Sequence, residues 1–244
     1  MTIAVIMAGG RSSRMRASSG ARHKALVEVN GITLLERNVI QLLSNGFSNI
    51  VVVVSHLEQE LIEYVESKLV NLKRDGVEIH CLLETKPLGT IGILRTVLES
   101  SQTAVVVNVD NLCSLDLNCF ADDHTKSKAA LTVATHIEYF RIPFGELKIS
   151  EGKVQEYREK SQQPVPISSG IYVLDKVCRD HIPPDTRFDA PDLINGLIAA
   201  GLIVRAHPHQ SVWIDVNDLE AVDNAERLVR GNQDAFGPDE WIRV

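Results

Sequence analysis

A chain of 244 residues with 44% hydrophobic content is long enough to enclose a sizeable core within one large α/β domain. Its formal charge of −7 and pI near 5.6 exclude an extended nucleic-acid groove, because a phosphate backbone needs a broad cationic surface. The longest apolar runs, over 50–54 and 104–107, are of strand length and far short of the roughly 20 residues that cross a bilayer, so no membrane partner is expected.

The first strand, over 3–7, breaks into Ala8-Gly9-Gly10, continues as Arg11-Ser12-Ser13-Arg14-Met15 and closes at His23-Lys24-Ala25-Leu26. The first 27 residues hold five Lys/Arg and no acid, a cationic island on an acidic chain. Glycines directly after a strand let backbone N–H groups approach an anion. The bases that follow favour a small, multiply charged anion over a plain turn. The spacing matches neither G-x-G-x-x-G nor G-x-x-x-x-G-K-[ST], so neither a dinucleotide fingerprint nor a P-loop is present. Arg11, Arg16 and Arg22 read as a solvated loop face, with His23 a minor candidate for phosphate contact. A short apolar run with its charges behind it does not read as a cleavable signal.

Strand and helix patterns then alternate. Helical spacing over 33–45 ends at Asn45-Gly46, a C-cap signal. Val/Ile-rich strands follow at 50–54, 78–83 and 104–109, with helices over 58–72 and 91–100. This order predicts an α/β fold: a Rossmann-like, doubly wound, mostly parallel sheet flanked by helices, with its ligand at the strands' carboxyl ends. Asp110 ends an apolar strand, where a carboxylate is costly unless it is hydrogen-bonded or binds a cation. Asp215, after Trp213-Ile214, has the same setting. Beyond residue 111 the pattern is mixed. A strand is predicted over 129–136, a hairpin over 144–149 and 153–157, a strand over 171–174 and a helix over 189–200. Strands over 203–206 and 212–214 and a helix over 219–230 close the chain. Cys81, Cys113, Cys119 and Cys178 form no C-x-x-C pair and read as reduced thiols of a cytoplasmic protein. His207 and His209 read as a surface loop.

The segment Ala8-Gly9-Gly10-x-x-Ser13-Arg14-Met15 resembles the signature loop of the nucleotidyltransferases, which couple a nucleoside triphosphate to a phosphorylated acceptor. Its wording is closest to the molybdenum-cofactor branch, and Ser12 and Ser13 depart from the sugar-1-phosphate branch. The ten-residue interval from Arg14 to Lys24 is that of the sugar branch. Lys24-Ala25-Leu26 with Gly31-Ile32-Thr33-Leu34-Leu35 is similar to that branch's Lys-Pro-Leu … Gly-x-Pro-Leu-Leu stretch, with Ala25 in place of proline. Glu84-Thr85-Lys86-Pro87-Leu88-Gly89-Thr90 resembles the base-binding loop of sugar-nucleotide pyrophosphorylases. Asn108-Val109-Asp110, Gly145 through Glu159-Lys160, Ser169-Gly170-Ile171-Tyr172 and Trp213-Ile214-Asp215 complete the likeness, which runs from residue 3 to about 230.

The resemblance implies transfer of a nucleotidyl group from an NTP to a sugar-1-phosphate, giving an NDP-sugar and pyrophosphate. Arg14 and Lys24 would be catalytic. Ala8, Gly9, Gly10, Glu84, Gly89 and Thr90 would hold the nucleotide, and Asn108, Gly145, Glu159 and Lys160 the acceptor. Asp110 and Asp215 would bind Mg²⁺. It also implies one domain over 1–244, with a nucleotide half at 1–111, an acceptor half at 112–230 and a tail at 231–244. Pro87–Thr90 leans toward guanylyl transfer to a mannose- or heptose-like phosphate. A likeness to phosphocholine cytidylyltransferases at Lys24–Asn30 and Asp110-Asn111 supports the alternative of a cytidylyltransferase for a phosphocholine-like or cyclitol phosphate. A metal-dependent glycosyltransferase would want Asp-x-Asp where Asp110-Asn111-Leu112 has one carboxylate. A catalytically silent regulatory protein would have lost one of the charged residues named above. Expected partners are therefore an NTP and a phosphorylated acceptor, with self-association left open.

Overall fold

The computed structural model describes residues 2–10, 22–69 and 76–237. Thirteen strands are present in chain order among these residues. They are β1 (Thr2–Met7), β2 (Glu28–Val29), β3 (Ile32–Thr33), β4 (Asn49–Ser55), β5 (Glu78–Glu84), β6 (Thr103–Asn108) and β7 (Asn111–Cys113), then β8 (Leu131–Arg141), β9 (Glu146–Ser150), β10 (Lys153–Arg158), β11 (Gln162–Asp175), β12 (Val204–Pro208) and β13 (Trp213–Asp215). Seven of them form one sheet in the order β12-β8-β11-β6-β1-β4-β5. All run parallel except β11, which is antiparallel to both β6 and β8. The mostly parallel sheet that the alternating pattern predicts is therefore what forms.

Both faces of the sheet's centre are covered, which is why its strands read as unbroken Val/Ile runs rather than as alternation. Ala4, Ile6, Val52, Val54, Val105 and Val107 join one core, with Leu35 and Val39 of α1 (Leu34–Ser44) and Leu61 of α2 (Gln59–Tyr64). Val5, Val53, Ala104 and Val106 join the other, with Leu94 of α3 (Leu94–Ser100). A period of two along each strand sends neighbours to opposite cores. Helix α1 begins with a capping box, in which Thr33 Oγ1 accepts from Glu36 N and Glu36 Oε2 accepts from Thr33 N.

Several elements differ from the sequence expectation, among them the short strands β2, β3 and β7, which were not predicted. The stretch predicted as one helix over 58–72 is α2 followed by a π turn, Val65–Leu69, and the predicted residues 70–72 lie outside the described ones. A further helix, α4 (Leu117–Ser127), buries only Leu117, Phe120 and His124 and carries too few apolar residues for its period to show. β8 and β11 extend well past their predicted limits and pair from Gln162–Arg141 inward. Pro164 and Pro166 stand two residues apart in this outer, exposed stretch, so their missing N–H groups lie on one edge of β11. The chain closes through α5 (Ala190–Ala199) and α6 (Leu219–Gly231) as the periodicity predicts.

Candidate active site

The carboxyl ends of the four adjacent parallel strands meet at one cleft of about 560 Å³, and their last residues, Met7, Ser55, Glu84 and Asn108, all line it. This is the expected place for a ligand in an open α/β sheet. Gly9, Gly10, Lys24, Gly89, Thr90 and Asp110 complete its wall with Pro87, Arg187 and Asp189. Ala8 is buried directly beneath, its N–H donated to the Val53 carbonyl at 3.0 Å.

His23 fixes the short turn that carries Lys24. Its Nδ1 accepts from Ala25 N at 3.1 Å, so Nε2 bears the proton and donates to the Gly10 carbonyl at 3.0 Å. The ring is buried and ties the glycine loop to Lys24, which replaces phosphate contact as its role. Lys24 Nζ donates to Asp110 Oδ2, and both side chains are mostly shielded from water. Arg22 is half exposed beside Glu28 and Glu60, in keeping with a solvated loop face. Arg14, with Arg11 and Arg16, lies outside the described residues.

Glu84 and Gly9 are matched. A Cβ on Gly9 would stand 2.9 Å from Glu84 Oε2, so glycine lets the loop lie on that carboxylate without displacing it. Glu84 Oε1 accepts from Leu88 N at 3.0 Å and bends the chain into the Pro87–Thr90 loop. Burial pushes the Glu84 carboxyl above its ordinary range, against the lowering effect of the Leu88 N–H. The loop is pinned from the far side. Asp189, the N-cap of α5, accepts from Thr90 N at 2.8 Å, and Thr90 Oγ1 accepts from Ala190 N at 2.9 Å.

Asp110, just before β7, and Asp215, the last residue of β13, stand on neighbouring segments, and of the two Asp110 lines the cleft. β7 and β13 pair antiparallel with Asn111 opposite Asp215, and Val216 N donates to the Asp110 carbonyl at 2.9 Å. Asn217 Nδ2 donates to Asp215 Oδ2. Gly145, Glu159 and Lys160 are outside the cleft lining, on the exposed ribbon of β9 and β10 and the chain that follows it. A Cβ on Gly145 would lie 2.2 Å from Tyr157 Oη and push that exposed ring aside, and with it the hydroxyl that donates to Glu159 Oε2 at 2.7 Å.

Behind the aspartates lies a cluster that sequence reading missed. The buried Ser169 carbonyl accepts from Asn111 Nδ2 at 2.8 Å and Trp213 Nε1 at 2.9 Å. Its hydroxyl sits 2.8 Å from both His136 Nδ1 and His209 Nε2. One hydroxyl donates once, so at most one of the two rings accepts from it and at least one donates to it. His207, read as surface loop, is largely covered and meets Asp123 at 3.2 Å. Burial first, then His136 and His207, pushes His209 down to about 4. The unfolded ring titrates near about 6.5. Between those values the unfolded state binds the extra proton, so stability present above pH about 6.5 is lost as pH falls toward 4. His209→Gln is expected to flatten that acid slope by about 1–2 kcal/mol after discounting for its partial exposure. Urea midpoints of both proteins across this window test it; parallel curves would count against the assignment.

The chain belongs to the nucleotidyl transferase family, whose model matches residues 3–230. It is 27% identical over 237 residues to a UTP--glucose-1-phosphate uridylyltransferase of Synechocystis, with 88% of this chain covered. It is 27% identical over 221 residues to the mannose-1-phosphate guanylyltransferase catalytic subunit beta of Dictyostelium discoideum, with 87% covered. The chain spans 60% of the length of each of these relatives. Among solved structures, its fold is similar to HddC from Yersinia pseudotuberculosis, with TM-score 0.71 and 24% identity over 93% of this chain and 99% of that one. A second structure of HddC, complexed with GMP-PN, matches with TM-score 0.69 and 23% identity over the same shares of the two chains.

Proposed function

We propose that this cleft transfers a nucleotidyl group from an NTP to a sugar-1-phosphate, with guanylyl transfer to a mannose- or heptose-like phosphate the preferred pairing. The observation that carries the reading is the Lys24–Asp110 pair at the carboxyl ends of the parallel strands, facing the Gly9-Gly10 turn across one cleft. The backbone of that turn would cradle the triphosphate, as glycine permits close approach. The loop from Glu84 to Thr90 would hold the base. An acceptor phosphate oxygen would attack the α-phosphorus, and the bond to pyrophosphate would break in line. Lys24 would place a point charge beside the transferring group, with Arg14 as a bidentate partner for the leaving phosphates. Such positioned charge is the main lever available for phosphoryl-type transfer.

The donor set suits a hard divalent cation. Asp110, just before β7, and Asp215 of β13 would supply the carboxylate oxygens, since Mg²⁺ takes one or two carboxylates plus phosphate oxygens. Bound there, Mg²⁺ would neutralise charge on the triphosphate. Asn108 would face the acceptor, with Gly145, Glu159 and Lys160 reaching it from the ribbon. We place the work in the cytoplasm: the four cysteines are free thiols, and no helix among the described residues is long and apolar enough to cross a membrane.

The guanylyl preference draws on Pro87–Thr90, on the mannose-1-phosphate guanylyltransferase relative and on the GMP-PN complex of HddC. The uridylyltransferase relative keeps the base itself a matter for experiment. The test is pyrophosphate release with each common NTP against a panel of sugar and alcohol phosphates plus Mg²⁺. GTP with a mannose- or heptose-type phosphate should give the highest kcat/KM. CTP with a cyclitol or choline phosphate ranking first would move the chain to the cytidylyl reading, and no release with any pair would favour the silent one.

A further inference from the structure

Among the described residues two cations line the cleft, Lys24 and Arg187, and they stand toward its opposite ends. Lys24 meets Asp110, just past β6. Arg187 is tied to the end of β5: Glu84 Oε1 accepts from Leu88 N, the Leu88 carbonyl accepts from Phe188 N at 2.8 Å, and Arg187 precedes Phe188. β6 and β5 are three strand spacings apart in the sheet, about 14 Å. A nucleotide also carries its chemistry at two ends, the phosphates at one and the base at the other. With Lys24 at the phosphate end, Arg187 falls at the base.

The side chain is placed there without being used up. Its Nη2 donates to Asp189 Oδ2 at 3.3 Å, and Asp189 Oδ1 accepts from Thr90 N at 2.8 Å. One carboxylate therefore holds both the guanidinium and the Pro87–Thr90 loop. The Arg187 side chain is 74% exposed, and an ion pair so open to water is worth little and yields to a ligand. A guanidinium carries five N–H donors in a rigid fork, of which Asp189 takes one.

We infer that Arg187 reads the base, its fork donating to O6 and N7 of guanine. The edges of the bases select this ligand. Guanine sets two acceptors side by side, O6 and N7, whereas adenine pairs N7 with an amino donor, uracil offers O4 alone and cytosine presents its N4 donor. Guanine alone answers two parallel donors with two acceptors. A lysine ammonium is a point charge and would not make that distinction, so the two ends of the cleft call for different cations. This role rests on the cleft holding an NTP, and it gives the guanylyl preference a cause in one side chain.

Calorimetric titration with Mg²⁺ and no acceptor reads binding without turnover, apart from the pyrophosphate-release assay that tests the reaction. The unaltered protein should bind 7-deaza-GTP, in which a carbon replaces N7, about tenfold more weakly than GTP. In Arg187→Ala, Kd for GTP should rise about thirtyfold and Kd for 7-deaza-GTP and for UTP about threefold, so that the penalty for losing N7 vanishes. Arg187→Lys should match Arg187→Ala, because charge without the fork does not read an edge. Equal binding of GTP and 7-deaza-GTP by the unaltered protein would overturn the role with no variant needed. A loss shared equally by all three nucleotides, or rescue by Arg187→Lys, would also overturn it and move Arg187 to the phosphates or to a structural tie on Asp189. GTP binding that shows the N7 penalty, with no pyrophosphate released for any acceptor, would keep the role of Arg187 and end the transfer reading. Failure to bind GTP at all would end both.

Discussion

Lys24→Ala is expected to lower kcat for nucleotidyl transfer by about 10²–10³-fold, the loss typical of removing one positioned donor from a reacting oxyanion. Lys24 and Asp110 share a largely covered site, so the single variant leaves a carboxylate without the cation that answers it. Stability should fall with it, by about 1–3 kcal/mol. Adding Asp110→Asn separates the two effects. The neutral pair no longer strands a charge, so stability should recover much of the loss, while activity should stay at the floor because both the cation and the proposed metal carboxylate are gone. Lys24→Arg is not expected to rescue, since a planar fork does not replace a compact ammonium in a closed corner. Thermal unfolding beside a pyrophosphate-release assay reads both quantities. If Lys24→Ala kept full turnover with the pair of substrates preferred by the parent chain, the charge pair would be structural only.

How much of this was readable in advance differs by kind of contact. The sheet was legible because β1, β4, β5 and β6 are buried on both faces and so must be Val/Ile-rich throughout. Gly9, Glu84, Asn108 and Asp110 were legible because each sits at or beside a strand's carboxyl end, where one short motif holds strand and turn together. Contacts across the chain were not. Asp189 meets Thr90 from 99 residues away, and nothing near Arg187 in the sequence sets it apart from a solvated arginine. Ser169 stood out only as part of the Ser169-Gly170-Ile171-Tyr172 likeness; the fold places it between His136 and His209, which lie 33 and 40 residues from it. Helix α4 escaped because Leu117, Phe120 and His124 are its whole buried stripe, one of them polar. The ribbon of β9 and β10 was legible as a hairpin, but its exposure was not. Its alternation predicts strands, but alternation cannot say that the apolar side meets water.

Gly89→Ala should damage stability and nucleotide binding together, where Gly10→Ala should damage binding alone. Gly89 has φ +82°, and an added Cβ would lie 2.6 Å from both Asp189 Oδ1 and the Phe188 carbonyl oxygen. Those two atoms receive the N–H groups of Thr90 and Ile91, at 2.8 and 3.1 Å. The methyl therefore strains the backbone, at about 1 kcal/mol or more. It also pushes the cap of α5 off the loop that it holds, a further loss of about 1–2 kcal/mol. A total of about 2–4 kcal/mol should appear as a lower urea midpoint, with KM for the NTP raised at least about tenfold as the Pro87–Thr90 loop loses its shape. Gly10 has open space around its Cβ position, so Gly10→Ala should stay within about 0.5 kcal/mol of the parent chain. Its methyl would nonetheless stand where the triphosphate is proposed to approach the backbone, so KM for the NTP should rise while KM for the acceptor holds. Equal nucleotide binding by Gly10→Ala and the parent chain would remove the glycine turn from the triphosphate site, whatever Gly89→Ala did to stability.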